Sequence, residues 1–132
     1  MSCFIKKRNK RSYEEYFHNN GKIEGVYRSF YCDYHEIQSI YEESEYINGI
    51  KNGFCKIYYP VGLLISFDDI EQFFMCSSPV LKSEHYEING LKNGLYKEYY
   101  PNGNILKICD YNNGNLLKSI EFYLNGTIKL SS

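Results

Sequence analysis

The segment NGIKNGFCKIYYPVG, from Asn48 to Gly62, recurs as NGLKNGLYKEYYPNG, from Asn89 to Gly103, with ten of fifteen positions identical at an offset of 41. Self-similarity on this scale constrains a fold more tightly than composition does, because a unit that repeats must bury its face on its own copies. Each copy holds a Gly, three residues, a second Gly, and an aromatic pair five and six residues further on. The two quoted copies supply Gly49, Gly53 and Tyr58–Tyr59, then Gly90, Gly94 and Tyr99–Tyr100. An upstream copy supplies Gly21, Gly25 and Phe30–Tyr31. A downstream copy supplies Gly114 and Phe122–Tyr123; it is one residue shorter and carries Lys118 near the place of the second Gly. Its Asn125–Gly126 matches Asn102–Gly103. A worn copy fills the long gap: Phe73–Phe74 sits near the aromatic pair, and Leu81–Lys82 followed by Tyr86 repeats the spacing of Leu106–Lys107 followed by Tyr111. There the Asp68–Asp69 turn replaces the usual loop.

The unit reads as a β-hairpin. A strand such as Leu95–Tyr100 leads to a turn at Pro101-Asn102-Gly103, or Pro60-Val61-Gly62, and a second strand such as Ile105–Asp110 returns. Proline presets φ and glycine accepts positive φ, as a reversal requires. No helical period of apolar residues runs through the chain. Composition agrees: there is no Ala and no Trp, but 15 Tyr and 8 Phe, which favour strands over helices. One such hairpin cannot stand alone. Ordering its ~20 residues costs roughly 20–40 kcal/mol of backbone entropy, while three or four buried aromatics return only about 2–3 kcal/mol each. The predicted fold is therefore all-β: an elongated, single-layer antiparallel sheet of about five successive hairpins over residues 16–132, preceded by a basic arm over residues 1–15.

The pattern NG-x-K-x-G-x-x-K-x-Y-Y-x-x-G resembles the MORN repeat in a variant form, over about residues 16–130, most clearly over 48–67 and 89–111. The usual Trp near the aromatic pair is absent. The resemblance implies a twisted sheet of hairpins acting as a scaffold or interaction module. Proteins of this kind occur among bacterial antitoxin-like proteins, at membrane junctions, and in giant DNA viruses. The many Asn, Lys, Ile and Tyr suit an AT-rich genome, such as that of a giant virus, a low-GC bacterium or some protists. The expected function is a non-enzymatic structural or protein–protein interaction module, a minor virion or capsid-associated protein of a giant virus. The alternatives are an antitoxin-like binder and a peripheral membrane scaffold. Expected partners are proteins, such as capsid proteins or further copies of the chain. The expected location is the virion or host cytoplasm, or otherwise the cytoplasm.

Charge and candidate sites follow from the residues. The chain carries a net −1, yet residues 1–11 hold five cations and no acid, so the remainder carries −6. Phe4, Ile5, Lys6, Lys7, Arg8, Lys10 and Arg11 are candidate partner contacts, to an acidic protein surface before nucleic acid, since no aromatic interleaves the basic run. Tyr31, Tyr59, Tyr100 and Tyr123 form one aromatic column and Phe30, Tyr58, Tyr99 and Phe122 the other, on opposite faces by strand alternation. One column serves as repeat core. The Tyr31 column is the candidate for a partner groove. Arg28, Lys56 and Lys97 stack as a cation stripe that either keeps one face soluble or meets phosphates. The nine glycines Gly21, Gly25, Gly49, Gly53, Gly90, Gly94, Gly103, Gly114 and Gly126 are structural. The odd count of five cysteines, without a CxxC, points to reduced thiols and to no zinc ribbon. His18, His35 and His85 stand isolated, and Cys32 with His35 lacks a second ligand pair. No catalytic, cofactor or metal residues are expected. No apolar run approaches the ~20 residues that span a bilayer, so no integral membrane segment is expected.

Overall fold

The computed structural model describes residues 2–8, 12–32, 38–67 and 70–129. Twelve strands are present and, among these residues, no helix. They are β1 (Ser2–Arg8), β2 (Ser12–Asn19), β3 (Lys22–Cys32), β4 (Gln38–Ile47), β5 (Ile50–Tyr58), β6 (Leu64–Phe67), β7 (Ile70–Met75), β8 (Leu81–Ile88), β9 (Leu91–Lys92), β10 (Gly94–Tyr99), β11 (Ile105–Asn112) and β12 (Asn115–Glu121). Ten form one open antiparallel sheet in the order β1-β2-β3-β4-β5-β8-β10-β11-β12, with β9 also on β8. The all-β hairpin array expected from the repeat is the fold.

Two kinds of turn alternate along the meander. Asn20–Gly21, Asn48–Gly49, Asn89–Gly90 and Asn113–Gly114 each place both residues at positive φ, the type I′ geometry that matches strand twist. These tips are tied sideways. The Gly49, Gly90 and Gly114 amides donate to the carbonyls of Ile23, Lys51 and Lys92, each at 2.8 Å. The Asn48, Asn89 and Asn113 amides donate to side chains of Glu24, Asn52 and Asn93. Each acceptor stands one or two residues before the second glycine of the preceding unit, so the Gly-x3-Gly spacing sets one tip against the next. Strand β5 therefore starts at Ile50, before Gly53, rather than after it.

The arm is corrected by the structure. Residues 2–8 are β1, paired with β2 in the register Lys6↔Glu15 and Lys7↔Glu14, and the predicted boundary at residue 16 falls inside β2. The physical reason is charge. Lys6↔Glu15↔Arg28↔Glu43↔Lys56↔Glu84↔Lys97 runs across seven strands as one row of alternating sign. Opposite charges abreast favour pairing by roughly 0.2–1 kcal/mol each. The cations Arg28, Lys56 and Lys97 are thus interleaved with acids, as in the 2.8 Å Arg28–Glu43 ion pair, and do not form a phosphate stripe. Lys10 and Arg11 lie outside the described residues, as do Asp68–Asp69 and His35.

The worn copy is corrected too. β6 and β7 form a separate two-stranded sheet, while β5 pairs directly with β8. The Tyr59 amide donates to the Val80 carbonyl, as Tyr100 donates to Asn104. β6 and β7 are therefore a branch inserted where Pro101-Asn102-Gly103 makes a plain turn. Leu81 is equivalent to Ile105, not Leu106, because each pairs with the residue before the buried tyrosine: Tyr58↔Leu81 and Tyr99↔Ile105. A one-residue slip exchanges faces. Tyr86 accordingly points away from the face that carries Tyr111, and is 60% exposed.

The core is thin. Cys55, Cys109 and Ser44 are almost fully buried, and Ser29 and Ser83 are buried beside them on one face, here called the inner face. Larger side chains roof these small residues. Tyr27 meets Tyr46 at 5.8 Å and Tyr96 meets Tyr111 at 6.2 Å between ring centroids.

Candidate functional site

Two surfaces of the central sheet carry chemistry, on opposite faces of β5, β8 and β10. The outer face has a groove of about 720 Å³ lined by Phe54, Lys56, Glu84, Tyr86, Leu95 and Lys97. Alternation puts Phe54 beside Tyr86 and Lys56 beside Glu84, in direct register. Lys56 Nζ lies 5.4 Å from the Phe54 ring centroid, and Leu95 is 54% exposed. The result is an apolar strip bordered by charges of both signs.

The inner face holds a polar centre that the sequence reading missed. Cys55 on β5 is directly opposite His85 on β8, and Gly53 is opposite Glu87. His85 and Glu87 are two residues apart on a strand, so both face inward. His85 Nε2 lies 2.7 Å from Glu87 Oε2, and the Cys55 thiol donates to the same oxygen at 3.5 Å. His85 is therefore not isolated. Its Nδ1 is buried with no hydrogen-bond partner. Its ring packs on Tyr96 at 5.4 Å. Burial pulls the His85 pKa below its ordinary value against the opposing pull of Glu87. Burial also pushes the Cys55 thiol up to about 11, with the Ser44 hydrogen bond opposing. His85-x-Glu87 was visible in the sequence as a same-face pair. Cys55 was not, since its neighbour is set by a pairing that jumps the inserted hairpin.

The other predicted contacts scatter. Tyr59 and Tyr100 are only 3% and 1% exposed, which corrects their assignment to a partner groove. Their hydroxyls donate to the carbonyls of Tyr99 and Phe122, so each locks one unit to the next. The Phe67 ring of the inserted hairpin packs on Tyr100 at 5.6 Å. Tyr31 is half-buried against Tyr41, and Tyr123 is exposed at the far end. Phe4 stacks on Phe17 at 4.9 Å and stays partly exposed, while Ile5 is half-buried opposite Tyr16.

Comparison with protein-family models, with curated proteins and with solved structures gives no match to the chain.

Proposed function

We propose that the chain is a non-enzymatic interaction module of the MORN-like kind, holding a protein partner on the outer face of its central strands. The observation that carries this reading is the groove around Phe54, Tyr86 and Leu95, where Tyr86 and Leu95 are exposed and Phe54 is half-buried next to the Lys56–Glu84 pair. Exposed aromatics rimmed by charge suit protein recognition. A sheet this thin supplies no water-poor cleft at the groove, which general acid–base work requires. The AT-rich composition and the resemblance of the repeat favour a setting in the shell of a giant virus, with capsid proteins or further copies of the chain as partners.

The test is cross-linking mass spectrometry on purified particles from cells that carry the gene. The chain should be found in the particles, with cross-links from Lys56 and Lys97 to a shell protein. Tyr86→Glu with Leu95→Glu should remove those cross-links while leaving the strand spectrum unchanged. Absence from the particles contradicts the viral setting. Cross-links that survive the double substitution contradict the groove.

A further inference from the structure

The inner face departs from its own repeat at one place. In β3–β4 three equivalent positions hold Tyr27, Ser44 and Tyr46, with Tyr27↔Ser44 and Gly25↔Tyr46 paired. In β10–β11 they hold Tyr96, Cys109 and Tyr111, with Tyr96↔Cys109 and Gly94↔Tyr111 paired. In both, the two tyrosine rings meet across the strand pair, at 5.8 Å and 6.2 Å between centroids. Between them, in β5–β8, the same positions hold Cys55, His85 and Glu87. The roofing tyrosines are gone, and a thiol, an imidazole and a carboxylate converge instead. Among the described residues no other group of three such ligands comes together.

We propose that Cys55, His85 and Glu87 bind a divalent transition-metal ion of the zinc type, with water completing the coordination. The three donor atoms lie within 4.8 Å of one another. Zinc at about 2.3 Å from sulfur and about 2.0–2.1 Å from nitrogen or oxygen needs tetrahedral donors roughly 3.3–3.6 Å apart. The Cys55 Sγ–Glu87 Oε2 separation of 3.5 Å already meets this; the 2.7 Å His85–Glu87 contact has to open, and the Cys55–His85 separation, within 4.8 Å, has to close onto the ion. Thiolate and carboxylate together neutralise a dication, which removes the main obstacle to holding a charge at a buried position. The nearby cations are engaged elsewhere: Lys51 pairs with Glu42 at 2.9 Å, and Lys92 lies over the Tyr96 and Tyr111 rings.

Binding balances without redox chemistry. The Cys55 thiol proton leaves to solvent, and the imidazole proton moves from Nε2 to Nδ1. The ring stays neutral and one proton is released per ion. The unpartnered Nδ1 is the free position that this tautomer uses.

The test uses the full chain, reduced and stripped with chelator, then dialysed against Zn2+ and, separately, Co2+. One ion per chain is expected, with a thiolate-to-cobalt charge-transfer band and a rise in melting temperature on zinc addition. His85→Gln and Glu87→Gln should each weaken zinc binding by more than about 100-fold, beyond the loss seen when only an orienting neighbour is changed. Cys55→Ser should abolish the cobalt band. Cys109→Ser, at another buried cysteine of the inner face that pairs with Tyr96, should leave binding and band unchanged. Should Cys55→Ser not fold, the two glutamine variants decide alone. Absence of stoichiometric binding, or binding that survives both glutamine substitutions, overturns the site, as does equal loss in Cys109→Ser.

Discussion

Gly53→Val should lower folding stability by about 3–5 kcal/mol, a large part of the ~5–15 kcal/mol typical of a domain, while Gly94→Val should cost only about 1–3 kcal/mol. The two glycines occupy equivalent positions and both have positive φ, +123° and +88°. They differ in what a side chain would meet. A Cβ on Gly53 would lie 2.9 Å from the Cβ of Glu45, whereas one on Gly94 meets nothing within 4 Å. Backbone strain is common to both and accounts for the smaller figure. At Gly53 the Glu45 side chain must also move, and its Oε1 currently accepts the Phe54 amide at 3.1 Å. Losing that acceptor adds about 1–3 kcal/mol if the amide stays unpaired. Urea midpoints of the two variants measure the difference. Equal midpoints would show that φ alone matters and that the close approach to Glu45 is slack.

Above pH 10 the chain should unfold in one cooperative step coupled to tyrosine ionisation. Burial, then the Glu14 hydrogen bond, holds the Tyr27 hydroxyl well above its ordinary range. Burial, then the charge of Glu98, does the same to Tyr59. Tyr96 is pushed up to about 12 by burial and its hydrogen bond to Glu98. Tyr31, Tyr46 and Tyr99 are raised by burial first. Once unfolded, these groups release their protons near pH 10. Above that value the unfolded chain binds fewer protons than the folded one, so stability falls as pH rises. The stabilisation is complete below about pH 10 and is lost through the raised folded values. Since half-exposed tyrosines feel a screened version of this, the buried members dominate. The melting temperature should fall by roughly 10 °C or more between pH 9 and pH 11. Tyrosinate absorbance should rise together with loss of the strand spectrum. A smooth titration centred near pH 10 with the strand signal intact would contradict this picture of the core.

Much of this architecture was legible because turns and repeats are local. Asn–Gly pairs, Gly-x3-Gly and the aromatic pairs are read within fifteen residues, and they mark the repeating hairpins and their antiparallel sense. What was not legible depends on pairing across a gap. The 41-residue offset between Gly49 and Gly90 mixes a repeat, seen alone as the 24-residue offset from Gly90 to Gly114, with an insertion. The register of β8 on β5 is fixed at its ends, by the Asn89–Gly90 turn and by a bulge at Lys82. The Leu–Lys dipeptides that resembled one another sit one residue out of step. That slip hid the face on which His85 and Glu87 lie relative to Cys55. The arm failed for a different reason. Its cations were weighed as a block, when strand pairing sets them singly against Glu14 and Glu15.

The most direct test is a chain shortened by residues 63–79, with Val61→Asn supplying the side-chain acceptor that Asn102 gives to the Asn104 amide. The junction Tyr59-Pro60-Asn-Gly62-Val80 then reproduces Tyr100-Pro101-Asn102-Gly103-Asn104, and the offset between glycines falls from 41 to the 24 of the next unit. If β5 and β8 are neighbours in one repeat sheet and the hairpin is a branch, this chain folds. It should retain the strand spectrum, a single unfolding transition, and nuclear Overhauser contacts between the backbones of Cys55 and His85. A chain that loses those contacts, or melts without a transition, would show that β6 and β7 are part of the array and that the central pairing is wrong.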